Sequence, residues 1–276
     1  CIRDRYWPKR DDNWKYMGKK DTSTVKREKE YTFDVAVIGG GVAGLCAAVS
    51  AARHGAKTVL VQNRPVLGGN ASSEIHVPIN GSYHFKNKFG VDRETGIVEE
   101  IQLENRYYNV QNSWEVWDHV MYDYVTRQEN LTLMLNTQAM EAVMDGNSIK
   151  KAICFQFSTE SKIIISADVF IDCSGDGALA ASAGAEYRTG REGKAEFNEK
   201  YAPDEPDGWV MGDSIQFSSK DMGYPVPFNP PSFAIKYDPS KANKRNITQL
   251  SCGFWWVELG LSLIHISEPT RLQLIS

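Results

Sequence analysis

The segment at residues 33–70, FDVAVIGGGVAGLCAAVSAARHGAKTVLVQNRPVLGGN, constrains the fold more than any other part of the sequence. It predicts an apolar strand at 35–38, a glycine turn at 39–44, an alanine-rich helix ending near Arg53, and a second strand at 58–62. Elements in this order form a βαβ unit. Such a unit binds dinucleotides when the turn leaves backbone N–H groups free at the start of the helix.

Three glycines in the turn have separate expected roles. Gly39 allows the sharp exit from the strand, Gly41 lets a diphosphate approach the backbone, and Gly44 lets the helix pack closely on the sheet. A glycine turn that binds nothing is the alternative. The flanking strands and helix favour the nucleotide interpretation, because they supply the context that the motif requires.

Two later segments also bring backbone towards a bound nucleotide. The loop RPVLGGN at 64–70 can wrap a ribose or diphosphate, although an ordinary surface turn explains it equally well. Gln62 stands before it, where a carboxylate usually binds the ribose; its side-chain carbonyl can accept a hydrogen bond without charge. Farther on, an apolar strand at 169–173 ends in Ser-Gly-Asp-Gly at 174–177, a second place where backbone can meet a cofactor.

The densest group of potentially reactive side chains follows the nucleotide loop and comprises Ser73, Glu74 and His76. We name His76 and Glu74 as candidate catalytic residues, because an imidazole titrates near neutral pH and can transfer protons. A structural role for His76 is the alternative. Asp118 and His119 are adjacent in sequence and so lie on different helix faces, and we predict no metal site.

The rest of the first 190 residues predicts an α/β fold. Helices are expected at 94–108 and 113–127, and five strands are expected at 131–135, 139–144, 149–157, 162–166 and 169–173. One face of the second helix carries apolar side chains at helical spacing, which we interpret as core rather than as a surface that stacks on a cofactor: Trp114, Trp117, Met121, Tyr124 and Val125. Beyond residue 189 the sequence is polar, with short extended segments expected at 213–217 and 225–237.

Composition excludes several classes of protein. In 276 residues, hydrophobic residues make up 42% and charged residues 24%, which is typical of a globular protein and not of a disordered or fibrous one. We find no apolar run near the ~18 residues of a membrane span. Five cysteines without CxxC spacing favour a reducing compartment, and we expect a cytoplasmic location.

Charge is concentrated at the N-terminus. Residues 1–30 contain ten Lys or Arg against six Asp or Glu, a net charge of +4, whereas the whole chain has a net charge of -4. We interpret this segment as a solvated extension and not as a contact for nucleic acid or membrane, because its charges are mixed and lack helical periodicity.

Both ends of the chain are unusual. It begins with Cys1, so we expect a start or signal peptide to lie outside it. Residues 261–271, LSLIHISEPTR, resemble a translated sequencing adapter. We therefore expect a fragment of a longer protein, set residues 261–276 aside, and disregard His265 as a ligand or base.

Three separated motifs, GGGVAG at 39–44, RPVLGGN at 64–70 and DCSGDG at 172–177, resemble those of FAD-dependent oxidoreductases of the glutathione-reductase-like superfamily. Within that superfamily the sequence is most similar to a broad FAD-dependent oxidoreductase family of environmental bacteria. The resemblance implies an α/β, Rossmann-like FAD-binding domain with a parallel sheet, helices and a β-meander at 31–188. The truncated start of a substrate or cap domain would follow at 189–260, after the charged N-terminal extension at 1–30.

The resemblance also implies which residues bind non-covalent FAD. The diphosphate would lie at Gly39, Gly41, Ala43 and Gly44, and the adenosine ribose at Gln62 and Asn63. The loop comprising Arg64, Gly68, Gly69 and Asn70 would approach the diphosphate and flavin, with Ala139 near the adenine and Ser174, Gly175 and Asp176 closing over the cofactor. These enzymes complete the flavin site with a late Gly-Asp motif that this sequence does not reach, so we expect weak FAD binding by the fragment.

The resemblance implies hydride transfer between FAD and an organic or sugar-like small molecule, with an unspecified electron partner. One alternative is a flavoprotein acting on tRNA, similar to the glucose-inhibited division proteins and using the basic extension. The sequence lacks that family's His-Ala-Gly-Cys motif, so we expect no nucleic-acid partner. A second alternative is a nucleotide-binding module without catalytic activity.

Overall fold

A six-stranded mixed sheet organises the first part of the chain. The structure is a computed structural model and describes residues 27–79, 86–87, 90–91, 94–208, 213–220, 222–227, 229–234, 248–251 and 254–259. The strands of the sheet are β1 (Glu28–Ile38), β2 (Thr58–Val61), β5 (Leu131–Met134), β6 (Thr137–Asp145), β7 (Ser148–Gln156) and β8 (Ser161–Asp172). Two short strands, β3 (Lys86–Asn87) and β4 (Gly90–Val91), pair with each other.

The strand order is β5-β2-β1-β8-β7-β6. The first four of these strands run parallel, and β7 and β6 continue the sheet as an antiparallel meander. This is the predicted α/β fold with a parallel core and a meander. The hairpin between β6 and β7 turns at Gly146 and Asn147, residue types that favour tight hairpin turns.

Three helices of the first part are long: α1 (Val42–Arg53), α2 (Gly96–Tyr108) and α3 (Trp114–Thr126). A short helix, α4 (Ala178–Ser182), follows β8. Val37 and Leu60 of the sheet pack with α1, α2 and α3 in one core. The neighbouring strand positions Ala36 and Val59 point to the opposite face and join a second core with the meander and α4, because strand side chains alternate between faces.

The aromatic stripe of α3 is part of the first core, as predicted. Trp117, Met121, Tyr124 and Val125 are buried, and Trp114 packs against them while remaining half-buried. The sequence interpretation of this stripe as core is therefore confirmed for these residues.

Strand β8 differs from the prediction, which had two strands separated near Asp168. Strand β1 begins at Glu28, so residues 28–30, assigned to the charged extension, are part of the sheet and pair with the first half of β8. Pairing resumes beyond the predicted break, with Val35 of β1 opposite Val169. A long neighbouring strand therefore keeps β8 continuous through a polar position that local pattern interprets as a break.

By its internal contacts the chain divides into two units, Cys1–Glu186 and Tyr187–Ser276. The second contains α5 (Lys194–Phe197) and an antiparallel sheet of β9 (Asp213–Ser218), β10 (Thr248–Ser251) and β11 (Phe254–Leu259) in the order β10-β11-β9. The predicted extended segment at 225–237 forms no strand within its described residues, since four of its residues are prolines without an N–H to donate. The assignment of residues 189–260 as the start of a substrate or cap domain stays a prediction.

Several predictions concern residues outside the described part of the chain. These are most of the charged extension, on which the tRNA alternative depends, and the adapter-like segment at 261–276. Among the described residues, no helix is long and apolar enough to cross a membrane.

We predict that Ile165→Ala in β8 destabilises the first unit by about 2–5 kcal/mol, because Ile165 is fully buried and truncation leaves a cavity. Val169→Ala is the matched control, since Val169 lies on the same strand with 51% of its surface exposed; it should change the free energy of unfolding by less than about 0.5 kcal/mol. Urea unfolding measures both. Equal effects would contradict the described orientation of β8.

Candidate nucleotide-binding site

Three predicted motifs meet where parallel strands end. Ile38, the last residue of β1, pairs with Val61 of β2 on one side and with Asp172 of β8 on the other. The Gly39 N–H donates to the Val61 carbonyl (2.7 Å), and the Cys173 N–H donates to the Ile38 carbonyl (2.7 Å). The carboxyl ends of parallel strands are where α/β proteins bind ligands, so the topology makes this edge the candidate site.

Two glycines allow the segments to approach this closely. A Cβ on Gly39 would lie 2.1 Å from the Cys173 carbonyl oxygen, and the φ of Gly39 is +104°. A Cβ on Gly44 would lie 1.8 Å from the Gly39 carbonyl oxygen. Neither position accepts a side chain without backbone movement, so Gly39 allows the ends of β1 and β8 to approach and Gly44 allows α1 to pack against the sheet.

Gly41 differs from these two. Its φ is -62°, an ordinary value, and no described heavy atom lies within 4 Å of a Cβ built on it. Helix α1 begins immediately after it, without a side-chain cap and without an acidic residue in its first turn, which contains Ala43. The space beside Gly41 therefore adjoins the positive end of a helix, where an anionic group is stabilised.

The loop at 64–70 lies against this turn. The Gly68 N–H donates to the Gly40 carbonyl (2.8 Å), and Gly41 and Gly68 form an isolated parallel bridge. A Cβ on Gly69 would lie 3.3 Å from the Gly41 Cα. The structure thus brings Gly68 and Gly69 beside Gly41, and Asn70 follows them in a 3₁₀ turn (Gly69–Ala71).

Helix α3 holds the segment that follows this turn. The Trp117 indole N–H donates to the Ala71 carbonyl, and the Ser73 N–H donates to Asp118 Oδ1 (3.0 Å). Asp118 is buried, with 8% of its surface exposed. Sequence reasoning missed this role, because the partner of Asp118 is a backbone amide 45 positions away and leaves no local pattern.

Gln62 is buried, with 4% of its surface exposed, and both ends of its carboxamide are used inside the protein. Its Oε1 accepts a hydrogen bond from the Gly40 N–H (2.8 Å), and its Nε2 donates to the Val66 carbonyl (3.0 Å). The side chain therefore joins the glycine turn to the loop. Its ribose-binding role remains a prediction.

Asn63 and Ala139 lie at the other end of the site. Asn63 is exposed, and its Nδ2 donates to Gln138 Oε1 (3.1 Å). Gln138 precedes Ala139 in β6 and donates to the Ala139 carbonyl (3.1 Å). One hydrogen-bonded chain thus connects the predicted ribose and adenine positions.

Asp172 fixes the segment after β8. Its Oδ1 accepts from the Ser174 N–H (2.9 Å) and its Oδ2 from the Ala180 N–H (2.8 Å). Burial alone would raise the pKa of Asp172, but hydrogen bonds from the Ser174 side chain and from the amides of 180, 174 and 179 outweigh it and lower the pKa. Gly175 and Asp176 remain exposed in the turn that these bonds hold.

The two candidate catalytic residues, Glu74 and His76, contact different partners. Glu74 forms a bidentate ion pair with Arg64, with Nη2 2.7 Å from Oε1, and no described hydrogen bond joins it to His76. His76 has a φ of 62°, and its ring stacks on Trp114 with centroids 4.9 Å apart. Their catalytic roles remain predictions. Nη1 of Arg64 has no hydrogen-bond partner among the described residues.

The Cys173 side chain lies beside the glycine turn, because a Cβ on Gly44 would lie 3.0 Å from its Cβ. Burial, and then the Asp172 carboxylate, raise the pKa of its thiol. The thiol therefore stays protonated at neutral pH and is a poor nucleophile. Among the described residues, no group of three or more His, Cys, Asp or Glu could hold a metal ion.

We predict that Gln62→Glu makes stability depend on pH. In the variant, a protonated carboxyl group can donate to the Val66 carbonyl as the Gln62 amide does, whereas a buried carboxylate would repel that oxygen. Burial therefore raises the folded pKa of the introduced carboxyl group above the unfolded ~4.3. The variant should lose stability as pH rises from ~4.3 to that folded pKa, by up to ~1.4 kcal/mol per pH unit.

The control is Gln62→Met, which removes both hydrogen bonds without adding a charge and should cost about 1–3 kcal/mol at every pH. Thermal unfolding from pH 4 to 8, about the range over which a buried Glu titrates, measures both variants against the unmodified chain. A Gln62→Glu variant whose relative stability is flat across this range would contradict the buried bridge.

We predict that Asp172→Asn lowers the free energy of unfolding by about 1–3 kcal/mol, because an amide nitrogen would face a backbone N–H donor. Since the folded pKa of Asp172 is lowered, its contribution is present above ~4 and lost as pH falls through that folded pKa. The variant should therefore lose less stability than the unmodified chain on acidification. Asp168→Asn, an exposed carboxylate on the same strand, is the control and should have little effect.

Comparisons with known proteins find short stretches of similarity to a reductase and a dehydrogenase. Fumarate reductase (cytochrome) of Shewanella frigidimarina is 55% identical over 40 residues, which cover 14% of this chain and 7% of that protein. Aerobic glycerol-3-phosphate dehydrogenase of Staphylococcus saprophyticus is 36% identical over 90 residues, covering 30% of this chain and 16% of that protein. The chain thus spans a small part of the length of the curated relatives it matches.

Among solved structures, the myxobacterial chondrochloren halogenase CndH, an FAD-dependent halogenase, has a TM-score of 0.43 at 12% identity, covering 58% of this chain and 41% of that chain. A family model described as FAD dependent oxidoreductase matches residues 34–258. That range includes all three motifs and most of the sequence. The chain therefore belongs to the FAD dependent oxidoreductase family, which confirms the resemblance and implies FAD as its cofactor.

Proposed function

We propose that the first unit binds FAD through its adenosine and diphosphate portions, and that the protein transfers a hydride between FAD and an organic small molecule. The observation that carries the proposal is the open space at Gly41 beside the uncapped start of α1. At the other glycines of the turn, a Cβ would clash with protein atoms. The clash would be with Cys173 at Gly39, with Leu67 at Gly40, and with Gly39 at Gly44. Space at Gly41 alone is what a diphosphate needs.

The residues present fit the cofactor. The amides at the start of α1 and the absence of acidic side chains in its first turn suit two phosphates. A Cβ built on Gly175 would have no described heavy atom within 4 Å. This open space suits a segment that covers a ligand. Asn63, exposed at the end of the Gln138 chain, is the polar side chain that supports ribose binding.

When bound, FAD supplies the hydride-accepting ring, which no protein side chain can replace. The chain's own residues bind and orient. The Arg64–Glu74 ion pair joins the two ends of the loop at 64–74, so Glu74 positions that loop and leaves Arg64 Nη1 able to meet an anion. His76 is held by stacking on Trp114 and is the remaining candidate for holding or moving a proton.

We predict that Gly41→Val weakens FAD binding by at least about tenfold, because its side chain would occupy the space beside the helix start, and that it lowers the thermal midpoint less than Gly44→Ala does. Quenching of flavin fluorescence on titration with the purified chain measures the affinity. Gly44→Ala is the contrasting variant, since its Cβ would meet the Gly39 carbonyl; it should lower the thermal midpoint.

If Gly41→Val bound FAD as well as the unmodified chain, the diphosphate would not lie at this turn and the proposal would be wrong. Failure of the folded chain to bind FAD at all would also overturn it. Anaerobic bleaching of the flavin band by NADH or by a sugar panel would identify the electron donor. Stable binding without bleaching by any donor favours the alternative of a nucleotide-binding module.

A further inference from the structure

A cavity of about 290 Å³ lies between helices α2 and α3 and the segment that follows the loop at 64–70. Its polar wall has four carboxamides and its aromatic wall two indoles: Gln102, Asn105, Asn109, Asn112, Trp114 and Trp117. Ser113, Ala71 and the aliphatic side chains of residues 77–79 also line it. Among the described residues that line it, none is charged.

The rigid part of the wall is built around Asn109. This residue is 4% exposed, and its Nδ2 donates to Asn105 Oδ1 (2.9 Å) and to the Ser113 carbonyl (2.7 Å). Its Oδ1 accepts from the Ser113 N–H (2.8 Å). Asn109 is therefore satisfied and fixes the end of α2 to the start of α3.

Other polar groups of the wall have no protein partner. Within the described residues, no hydrogen bond uses the Gln102 carboxamide, the Asn112 carboxamide or the indole N–H of Trp114. Gln102 and Trp114 are half-buried, so solvent only partly replaces those bonds. Gln102 and Asn105 are three positions apart on α2 and lie on the same face.

The chemistry of these walls selects the ligand. Carboxamides both donate and accept hydrogen bonds, as hydroxyl groups do, and an indole packs against an apolar ring face. Among the described lining residues an anionic ligand would find no cation, and a hydrocarbon would leave the amides unpaired. The volume is at the lower end of the roughly 300–1,000 Å³ of small-molecule sites, which suits a single ring.

We infer that this cavity binds a neutral, polyhydroxylated ring, of which a monosaccharide is the fitting class. Gln102 and Asn112 would hydrogen-bond its hydroxyls, and Trp114 would pack on its apolar face. His76, stacked on Trp114, holds that indole in place as a positioning residue. The inference stands on the cavity alone and does not rest on FAD binding.

The test is a titration of the full 276-residue chain, labelled with 5-fluorotryptophan, followed by fluorine NMR without added flavin. The chain has 7 tryptophans, and Trp114→Phe identifies the resonance of Trp114 by its loss. We expect D-glucose and N-acetyl-D-glucosamine to shift this resonance at millimolar concentration. D-glucose 6-phosphate should bind less well because the wall offers no cation.

Gln102→Leu should weaken sugar binding by about tenfold, the effect of one lost hydrogen bond. The matched control is Leu103→Ala, next to it on α2, 53% exposed and outside the cavity; it should leave the affinity unchanged. If Gln102→Leu does not fold, Asn112→Gly replaces it, since the φ of Asn112 is 52° and glycine accepts that backbone without strain.

No shift of the Trp114 resonance with any sugar would overturn the inference. So would a shift that neither cavity variant reduces. Tighter binding of nicotinamide or adenine than of every sugar would assign the cavity to a planar heterocycle instead and would also overturn it. Because no flavin is present, each result is independent of the outcome at Gly41.

Discussion

The contact on which the site depends is the close packing of Gly39 against the Cys173 backbone and of Gly44 against the Gly39 carbonyl. Each would place a Cβ about 2 Å from a carbonyl oxygen, so the packing distance is set by the absence of two side chains. Through it, the start of α1 lies beside the ends of β1 and β8. The first-turn amides of α1 and the turn after Asp172 consequently border the same edge of the sheet.

The described charged groups near this edge of the sheet leave the positive start of α1 without a neutralising carboxylate. Asp172, the carboxylate nearest the turn, accepts the amides at 174 and 180, and its charge is stabilised by these bonds. Gln62 holds the Gly40 N–H without carrying a charge. A carboxylate at position 62 would add a second negative charge near the start of α1, where we propose that the diphosphate binds, and would weaken its attraction to the helix. The neutral amide keeps the bridge and avoids that repulsion.

Local pattern was enough to predict the elements whose cause is local. The helix after Gly41 and the buried stripe of α3 follow from glycine placement and from periodicity, and the structure confirms them. The continuity of β8 could not be predicted, because it comes from pairing with the distant β1. The inward side chain of Gln62 and the amide contact of Asp118 also join residues far apart in sequence and leave no local signal.

One segment connects the glycine turn with the cavity between α2 and α3. Residues 68–71 touch Gly41 at one end, while the carbonyl of Ala71 accepts the Trp117 indole N–H, and both Ala71 and Trp117 line the cavity. Through Trp117, helix α3 thus both supports residues 68–71 and forms part of the cavity wall. A change in the packing of α3 would therefore be felt at Gly68, where a Cβ would lie 2.7 Å from the Met121 methyl group. Because side chains in such a core have little free space, the packing of α3 fixes the position of this segment.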